Sequence, residues 1–260
     1  MSILFSGDFH SGACGELEYL TKSYLMQKYG RELYDEISCH IILGDGGFLW
    51  PGRKQREASN LKILSERPFP VLCVCGNHEP VLGRTDLPEI DIGLGEKVIV
   101  VSEAQPLVAY LKRGKVYHID GRKFLVLGGA LSVDKDCRIP TVTWWKDEYW
   151  TQEEEAGLFS LLKKDRDFDY VLSHTGPNRI NKTVFAYVPD IDEMKFTDEV
   201  AALNDRVDAT INCKQWYCGH WHHTFYYYDE ELKRGYQYLY EDTILMEDTE
   251  LYCREEEKYA

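Results

Sequence analysis

The chain has 260 residues, with 44 Asp and Glu against 30 Lys and Arg and a formal charge of −14. Its 44% hydrophobic and 28% charged residues are those of a folded globular protein, which excludes wholesale disorder, a collagen-like repeat and a coiled coil. The acidic surplus argues against long nucleic acid as a partner, because gripping it draws on a basic field.

The opening run, Met1 to Asp8, has no basic region ahead of its apolar residues and meets a charge early, so a secretory signal is not expected. No stretch of about 18 uncharged apolar residues follows, so no membrane span is expected either. Eight cysteines without a C-x-x-C pair then read as reduced thiols of a cytoplasmic protein, and a cysteine zinc site is not expected.

Short apolar runs recur along the chain: residues 3–5, 39–43, 71–75, 124–127, 170–172 and 216–218. Each reads as a strand buried on both faces. Between them, residues 16–29 carry Leu17, Tyr19, Leu20 and Tyr24 in helical register and end at Gly30, a C-cap signal. Residues 53–66 and 151–164 are further helices, the second opening on a Thr151/Glu154 capping box. A weaker helical pattern covers 192–206. Lys115 to Ile119 and Lys123 to Leu127 flank Asp120-Gly121-Arg122, a hairpin signal. Tyr226-Tyr227-Tyr228 reads as a strand with alternating faces. The alternation of strand and helix predicts an α/β fold with mixed sheets. No repeat, linker or composition shift marks a boundary, so residues 1–260 read as one domain with an acidic, solvated end from about 247.

Five motifs follow strand-like runs, where the loops of α/β proteins build their sites: Gly7-Asp8-Phe9-His10, Gly44-Asp45-Gly46-Gly47, Gly76-Asn77-His78-Glu79, Ser173-His174-Thr175 and Gly219-His220-Trp221-His222. They hold five of the eight histidines. In an extended segment, a two-residue spacing turns Asp8 with His10, and His220 with His222, toward one locus. Carboxylate, imidazole and amide oxygen form a mixed O/N ligand set that suits Mn, Fe, Zn, Ni or Co.

The order D-x-H, GD, GNHE, a lone His and GHxH resembles the calcineurin-like metallophosphoesterases over residues 8–222, and its GNHE form is similar to the serine/threonine phosphoprotein phosphatase branch. The resemblance implies a four-layer α/β/β/α sandwich of two mixed sheets flanked by helices, around a dinuclear metal centre. By position, Asp8, His10 and His222 would bind one metal and Asn77, His174 and His220 the other. Asp45 would bridge them and take part in catalysis, and His78 would stand just outside. The implied reaction is hydrolysis of a phosphate ester by a hydroxide held between two divalent ions, Mn being favoured. Ions roughly 3.5–4 Å apart can stabilise both attacking and leaving oxygens at phosphorus. His78 would protonate the leaving alkoxide as general acid.

The sequence departs from the phosphoprotein phosphatase pattern in its second motif. Where GDxxDRG is usual, residues 44–53 read GDGGFLWPGR, without the second acid and without the phosphate-binding Arg in register. Arg53, Arg84, Arg138 and Arg179 are candidate replacements, with Arg138 favoured; Glu79 and His223 are further candidate substrate contacts. The Trp144-to-Trp150 cluster either rims the site or packs the following helix onto the sheet. His40 and His118 read as structural. The expected activity is that of a phosphomonoesterase of serine/threonine protein phosphatase type, acting on a phosphoprotein or a small phosphorylated molecule. Phosphodiester or nucleotide hydrolysis is the alternative, and a non-catalytic interaction scaffold on the same fold is the reading from another class.

Overall fold

Apolar runs rich in Val, Ile and Leu become strands because their branched side chains pack on a pleated surface buried on both faces. The computed structural model describes residues 1–10, 16–49, 54–81, 84, 86–102, 107–185, 198–240 and 242–249. Strands β1 (Ser2–Ser6), β2 (Ile37–Ile42), β3 (Val71–Cys73), β4 (Glu89–Ile90), β5 (Val98–Ser102) and β6 (Val108–Tyr110) come first. They are followed by β7 (Lys115–Ile119), β8 (Arg122–Val126), β9 (Tyr170–Leu172), β10 (Gln215–Cys218), β11 (Phe225–Asp229), β12 (Arg234–Tyr238) and β13 (Thr243–Leu245). The helices are α1 (Lys22–Glu36), α2 (Lys54–Ser65), α3 (Gln152–Leu162), α4 (Asn178–Phe185) and α5 (Glu199–Asp208).

Two mixed sheets result, in the orders β13-β1-β2-β3-β6-β5-β4 and β11-β12-β10-β9-β8-β7. Within each, the central strands run parallel: β1, β2, β3 and β6 in one, β12, β10, β9 and β8 in the other. Antiparallel strands close the edges. Ile3, Phe5, Ile41, Leu43 and Leu72 of the first sheet share one buried cluster with Phe124, Val126, Tyr170, Leu172 and Tyr217 of the second. The Phe5 and Tyr217 rings stack across this layer at 4.0 Å and 12°. Helix α1 covers the outer face of the first sheet through Leu25 and Tyr34 packed near Leu4 and Leu245, and Leu64 of α2 packs with Ile42 and Val71. Leu158 and Leu162 of α3, Ile180 and Val184 of α4, and Leu203 and Val207 of α5 cover the other sheet over Val171 and Trp216. The α/β/β/α expectation therefore holds. No helix among the described residues is long and apolar enough to cross a membrane.

The predicted hairpin is β7–β8, with Ile119 opposite Arg122 and both turn residues at positive φ (Asp120 50°, Gly121 73°), as a two-residue type I′ turn requires. The predicted helix starting at 16 is a 3₁₀ turn, Glu16–Leu20, followed by α1, whose N-cap Thr21 accepts from the Tyr24 N–H. Gly30 does not end it. At φ 79° and ψ 164° it kinks the helix, which resumes to Glu36 because Tyr34 and Ile37 are drawn into the apolar cluster beneath. The Thr151/Glu154 capping box is formed. Of the weak helix at 192–206, the part from Glu199 is real and extends to Asp208; residues 192–197 lie outside the described residues. The acidic end from 250 onward lies outside them too.

Candidate metal centre

All five motifs leave the C-terminal ends of parallel strands: β1, β2 and β3 in one sheet, β9 and β10 in the other. The expected extended geometry within the motifs is corrected by the structure. Asp8 (φ 58°), His10 (39°), Asp45 (53°), His220 (73°) and His222 (52°) all stand in the left-handed region. Asp and His visit this region more readily than bulky residues, at about 1–3 kcal/mol each, and such strain collects where surrounding structure demands a side-chain direction. Convergence thus comes from tight turns rather than from strand alternation. Glycine makes room for it. A Cβ on Gly76 would stand 1.9 Å from Asp45 Oδ1, and one on Gly44 would stand 2.2 Å from His174 Nδ1.

The ligand atoms of Asp8, His10 and His222 lie within 4.8 Å of one another, as do those of Asp8, Asp45 and His174, and those of His10, Asp45 and His78. His10 Nε2 and His222 Nε2 are 3.0 Å apart, His10 Nδ1 is 3.8 Å from Asp45 Oδ2, and His174 Nε2 is 3.3 Å from the same oxygen. Asn77 Oδ1 lies 3.0 Å from His174 Nε2. His220 joins by its ring, which meets that of His174 edge-on at 5.1 Å. The structure thus brings together every residue the sequence nominated as a metal ligand.

This donor set fits cations. Asp8 is 1% exposed, and among the described residues neither of its carboxylate oxygens makes a side-chain hydrogen bond, with the His220 N–H favouring its charge. Burying a carboxylate that way is costly unless a cation balances it. His174 Nδ1 donates to the Leu43 carbonyl at 2.7 Å, which leaves Nε2 as the nitrogen facing the two aspartates. Burial, with help from Asp45 and against His174, pushes the Asp8 carboxyl well above its ordinary range. Burial also opposes ionisation of Asp45, but His174, His78 and His10 outweigh it and hold that carboxyl well below. His174 is the counterpart: burial disfavours its charge, yet Asp45 and Asp8 lift it to about 10. His220 and His222 are kept neutral chiefly by burial, the latter at about 4.

The remaining nominated residues separate. His78 donates its backbone N–H to Asp45 Oδ1 at 2.9 Å, and its ring Nε2 lies 3.7 Å from Asp45 Oδ2. Arg138, the favoured of the four arginine candidates for the phosphate contact, sits directly against that ring. Glu79 is not positioned for substrate. It is 4% exposed, and its carboxylate accepts from the N–H groups of Gly47 (3.0 Å) and Gly76 (3.0 Å) and from Tyr110 Oη (2.7 Å), tying the second and third motifs together from beneath. His223 is exposed beside His222, its Nδ1 3.0 Å from the Trp221 carbonyl. Arg84 pairs with Asp86, and Arg179 with Asp208 and Asp229 at the far end of β12; Arg138 also pairs with Asp134 through Nε but turns Nη1 and Nη2 to His78. Arg53 lies outside the described residues. His40 is structural, buried between Ser6 Oγ (2.6 Å) and Arg67 Nη1 (3.1 Å), and His118 is exposed on β7.

The Trp144-to-Trp150 cluster divides between its two readings. Trp150 donates to the Gly128 carbonyl at 2.8 Å and packs with the cluster under α3. Thr143, just before it, accepts from Arg138 Nη1 at 3.0 Å and so borders the site. Sequence reasoning missed Ser132, Glu148 and Tyr240. Ser132 accepts from Asn77 Nδ2, Glu148 accepts from Ser132, and the Tyr240 ring stacks on His222 at 4.6 Å and 9°. None of the three carries a local motif; each is brought in by a loop from elsewhere.

The family model for calcineurin-like phosphoesterases matches residues 1–224. The chain belongs to that family. A crystal structure of the same fold superposes on this calcineurin-like phosphoesterase with a TM-score of 0.55 at 10% identity, covering 91% of this chain and 89% of its own. The phosphopantetheinyl hydrolase of Mycobacterium tuberculosis is similar at 15% identity with a TM-score of 0.44, covering 92% of this chain and 90% of its own. No match was found among curated proteins.

Proposed function

We propose that this calcineurin-like phosphoesterase is a dinuclear metal-dependent hydrolase of phosphate monoesters, with residues 1–260 forming one metallophosphoesterase domain. The observation that carries this reading is the buried carboxylate of Asp8, without a side-chain donor among the described residues, amid converging imidazoles. In it Asp8, His10 and His222 hold one divalent ion, Asn77, His174 and His220 hold the second, and Asp45 bridges the two. When bound, such ions activate water at neutral pH and neutralise the oxygens at phosphorus. Mn is the proposed metal of choice for this O/N set.

His78, with its ring 3.7 Å from the bridging Asp45, is placed to give a proton to the leaving oxygen. Arg138 stands beside His78 and supplies the guanidinium that the second motif lacks. A dianionic monoester has more charge to neutralise than a diester, which favours the monoester, either a phosphorylated protein side chain or a small phosphorylated molecule. The scaffold reading loses ground, since every ligand position and His78 are filled and convergent.

The test is Mn-dependent hydrolysis of an aryl phosphate by the purified chain and by its Asp45→Asn variant. Turnover should vanish in the variant; undiminished turnover would refute the bridged centre. Phosphopeptides, a bis-aryl phosphate and nucleotides, compared as substrates, decide among the ester classes, and preference for the bis-aryl ester would replace the monoester reading.

A further inference from the structure

An asparagine is a treacherous metal ligand, because its amide presents either an oxygen or an NH2 of nearly the same shape, and the NH2 repels a cation. Something must choose. Asn77 Nδ2 donates to Ser132 Oγ at 3.0 Å, and Ser132 Oγ donates to Glu148 Oε2 at 2.6 Å. All three residues are buried, at 3%, 3% and 2% exposure. A carboxylate only accepts, so the Ser132 hydroxyl must spend its one proton on Glu148. Its oxygen is then left to accept, and the Asn77 NH2 is the group that donates. The Asn77 oxygen is thereby turned to the side of His174 Nε2, 3.0 Å away.

Glu148 is itself held firmly. Arg113, its side chain 3% exposed, donates to the carbonyls of Asp147 (2.8 Å) and Tyr149 (2.7 Å) on either side of it, and grips Glu154 with Nε and Nη2 at 2.9 and 2.7 Å. Gly129, at φ 85°, leaves the space that the Glu148 carbonyl fills, since a Cβ there would stand 2.1 Å from it. We propose that Ser132 and Glu148 are positioning residues that fix the amide of Asn77 for the second metal, so that the loop around Trp144 to Trp150 sets the affinity of one ion of the pair.

This inference rests on the two-metal reading and has its own test: calorimetric titration of Mn²⁺ into the metal-stripped full chain. The parent should bind two ions. Ser132→Ala and Glu148→Ala should weaken one of them by about 10–100-fold, the range for partners of metal ligands, while the other stays within about twofold. Glu148→Gln keeps an acceptor for Ser132 and should restore that ion to within about threefold of the parent. Melting of the metal-free proteins identifies any variant that fails to fold, and Ser132→Ala then decides alone. Parent affinity for both ions in Ser132→Ala, or equal weakening of both, overturns the relay and leaves the metal centre standing. A parent that takes up fewer than two ions overturns the two-metal reading, and the relay with it.

Discussion

Arg138 lays its guanidinium against the imidazole of His78, with Nη1 2.7 Å from Nδ1 and Nη2 3.3 Å from Nε2. A guanidinium has donors and no acceptor, so the ring that meets it does so through a lone pair. Burial, followed by the Arg138 charge and against the pull of Asp45, lowers His78 to about 4. In this arrangement the arginine occupies the general acid. A phosphate group entering between them would accept from Arg138 and free the His78 lone pair, which would then take up the proton that the ring passes to the leaving oxygen.

Replacing Arg138 should therefore strike substrate binding and spare the metals. A charge-assisted hydrogen bond is worth about 1.5–3 kcal/mol, or roughly 10–100-fold. Arg138→Ala should raise the KM for a monoester and weaken inhibition by inorganic phosphate by that factor, with Mn²⁺ affinity unchanged. Arg138→Lys should recover only part, because an ammonium cannot bind two phosphate oxygens in a fork. Phosphate inhibition equal to the parent in Arg138→Ala would remove the residue from the substrate site.

Without metal, the centre should behave as a proton store. His174 is lifted from an ordinary 6.5 to about 10, burial notwithstanding, by Asp45 and Asp8. A group raised in the folded state stabilises it fully below the unfolded value and loses that contribution as pH rises through the folded one. The metal-free protein should thus lose stability between about pH 6.5 and 10, as read by chemical unfolding at stepped pH. Asp8, raised by burial, acts in the same direction at lower pH, with stability falling as pH climbs above its ordinary 3.8. Metal must displace the His174 proton, so titrations of Mn²⁺ at pH 7.5 in buffers of different ionisation heat should show proton release, and affinity should fall with pH. Binding without proton release would contradict a charged His174.

The site's chemistry was legible in sequence because each ligand sits in a short motif that follows an apolar run: Asp8 after β1, Asp45 after β2, Asn77 after β3, His174 after β9, His220 after β10. The parallel strands β1, β2, β3, β8, β9 and β10 and the β7–β8 hairpin were legible for the same reason of pattern. What stayed hidden depends on packing between distant segments. Glu79 looks like a substrate residue beside His78, yet its neighbours in space, Gly47 and Tyr110, turn it inward as a tie. The left-handed turns at Asp8 and His222 follow from demands of convergence that no single segment records. Strands β5, β6 and β12 lack sharp punctuation, and Gly30 signals an end where tertiary packing merely bends the helix.

The Arg113–Glu154 pair should be a stability determinant that also anchors the segment carrying Glu148. Glu154 closes the α3 capping box with Thr151 and meets a buried arginine that also holds two carbonyls. Burial opposes its ionisation, but Arg113 and the Thr151 N–H outweigh that and hold Glu154 below the ordinary 4.5. A lowered carboxylate contributes above its unfolded value and loses that contribution as pH falls through the folded one. Glu154→Ala should cost about 2–4 kcal/mol in denaturant unfolding at pH 7, since it strands a buried cation and removes a cap, and the gap from the parent should narrow in acid below pH 4.5. A loss under about 0.5 kcal/mol would mean that Arg113 finds another partner.

Gly76 tests the close packing of the motif loops without replacing any ligand. A Cβ there would meet Asp45 Oδ1 at 1.9 Å and its backbone nitrogen at 2.5 Å. Neither atom belongs to the end of a flexible chain: Asp45 is 1% exposed, and its Oδ1 is already fixed by the His78 N–H. The third motif would have to move away from the second, and Glu79, which holds the N–H groups of both Gly47 and Gly76, resists that movement. Relief comes most cheaply by rotating the Asp45 carboxylate out of its bridging direction. Gly76→Ala should therefore lower Mn²⁺ affinity at both sites by at least about tenfold, because in the proposed centre Asp45 serves both ions, whereas loss of Asn77 should affect one. Calorimetric titration of Gly76→Ala beside Asn77→Ala distinguishes the two patterns, and weakening of a single ion in Gly76→Ala would deny Asp45 the bridging role.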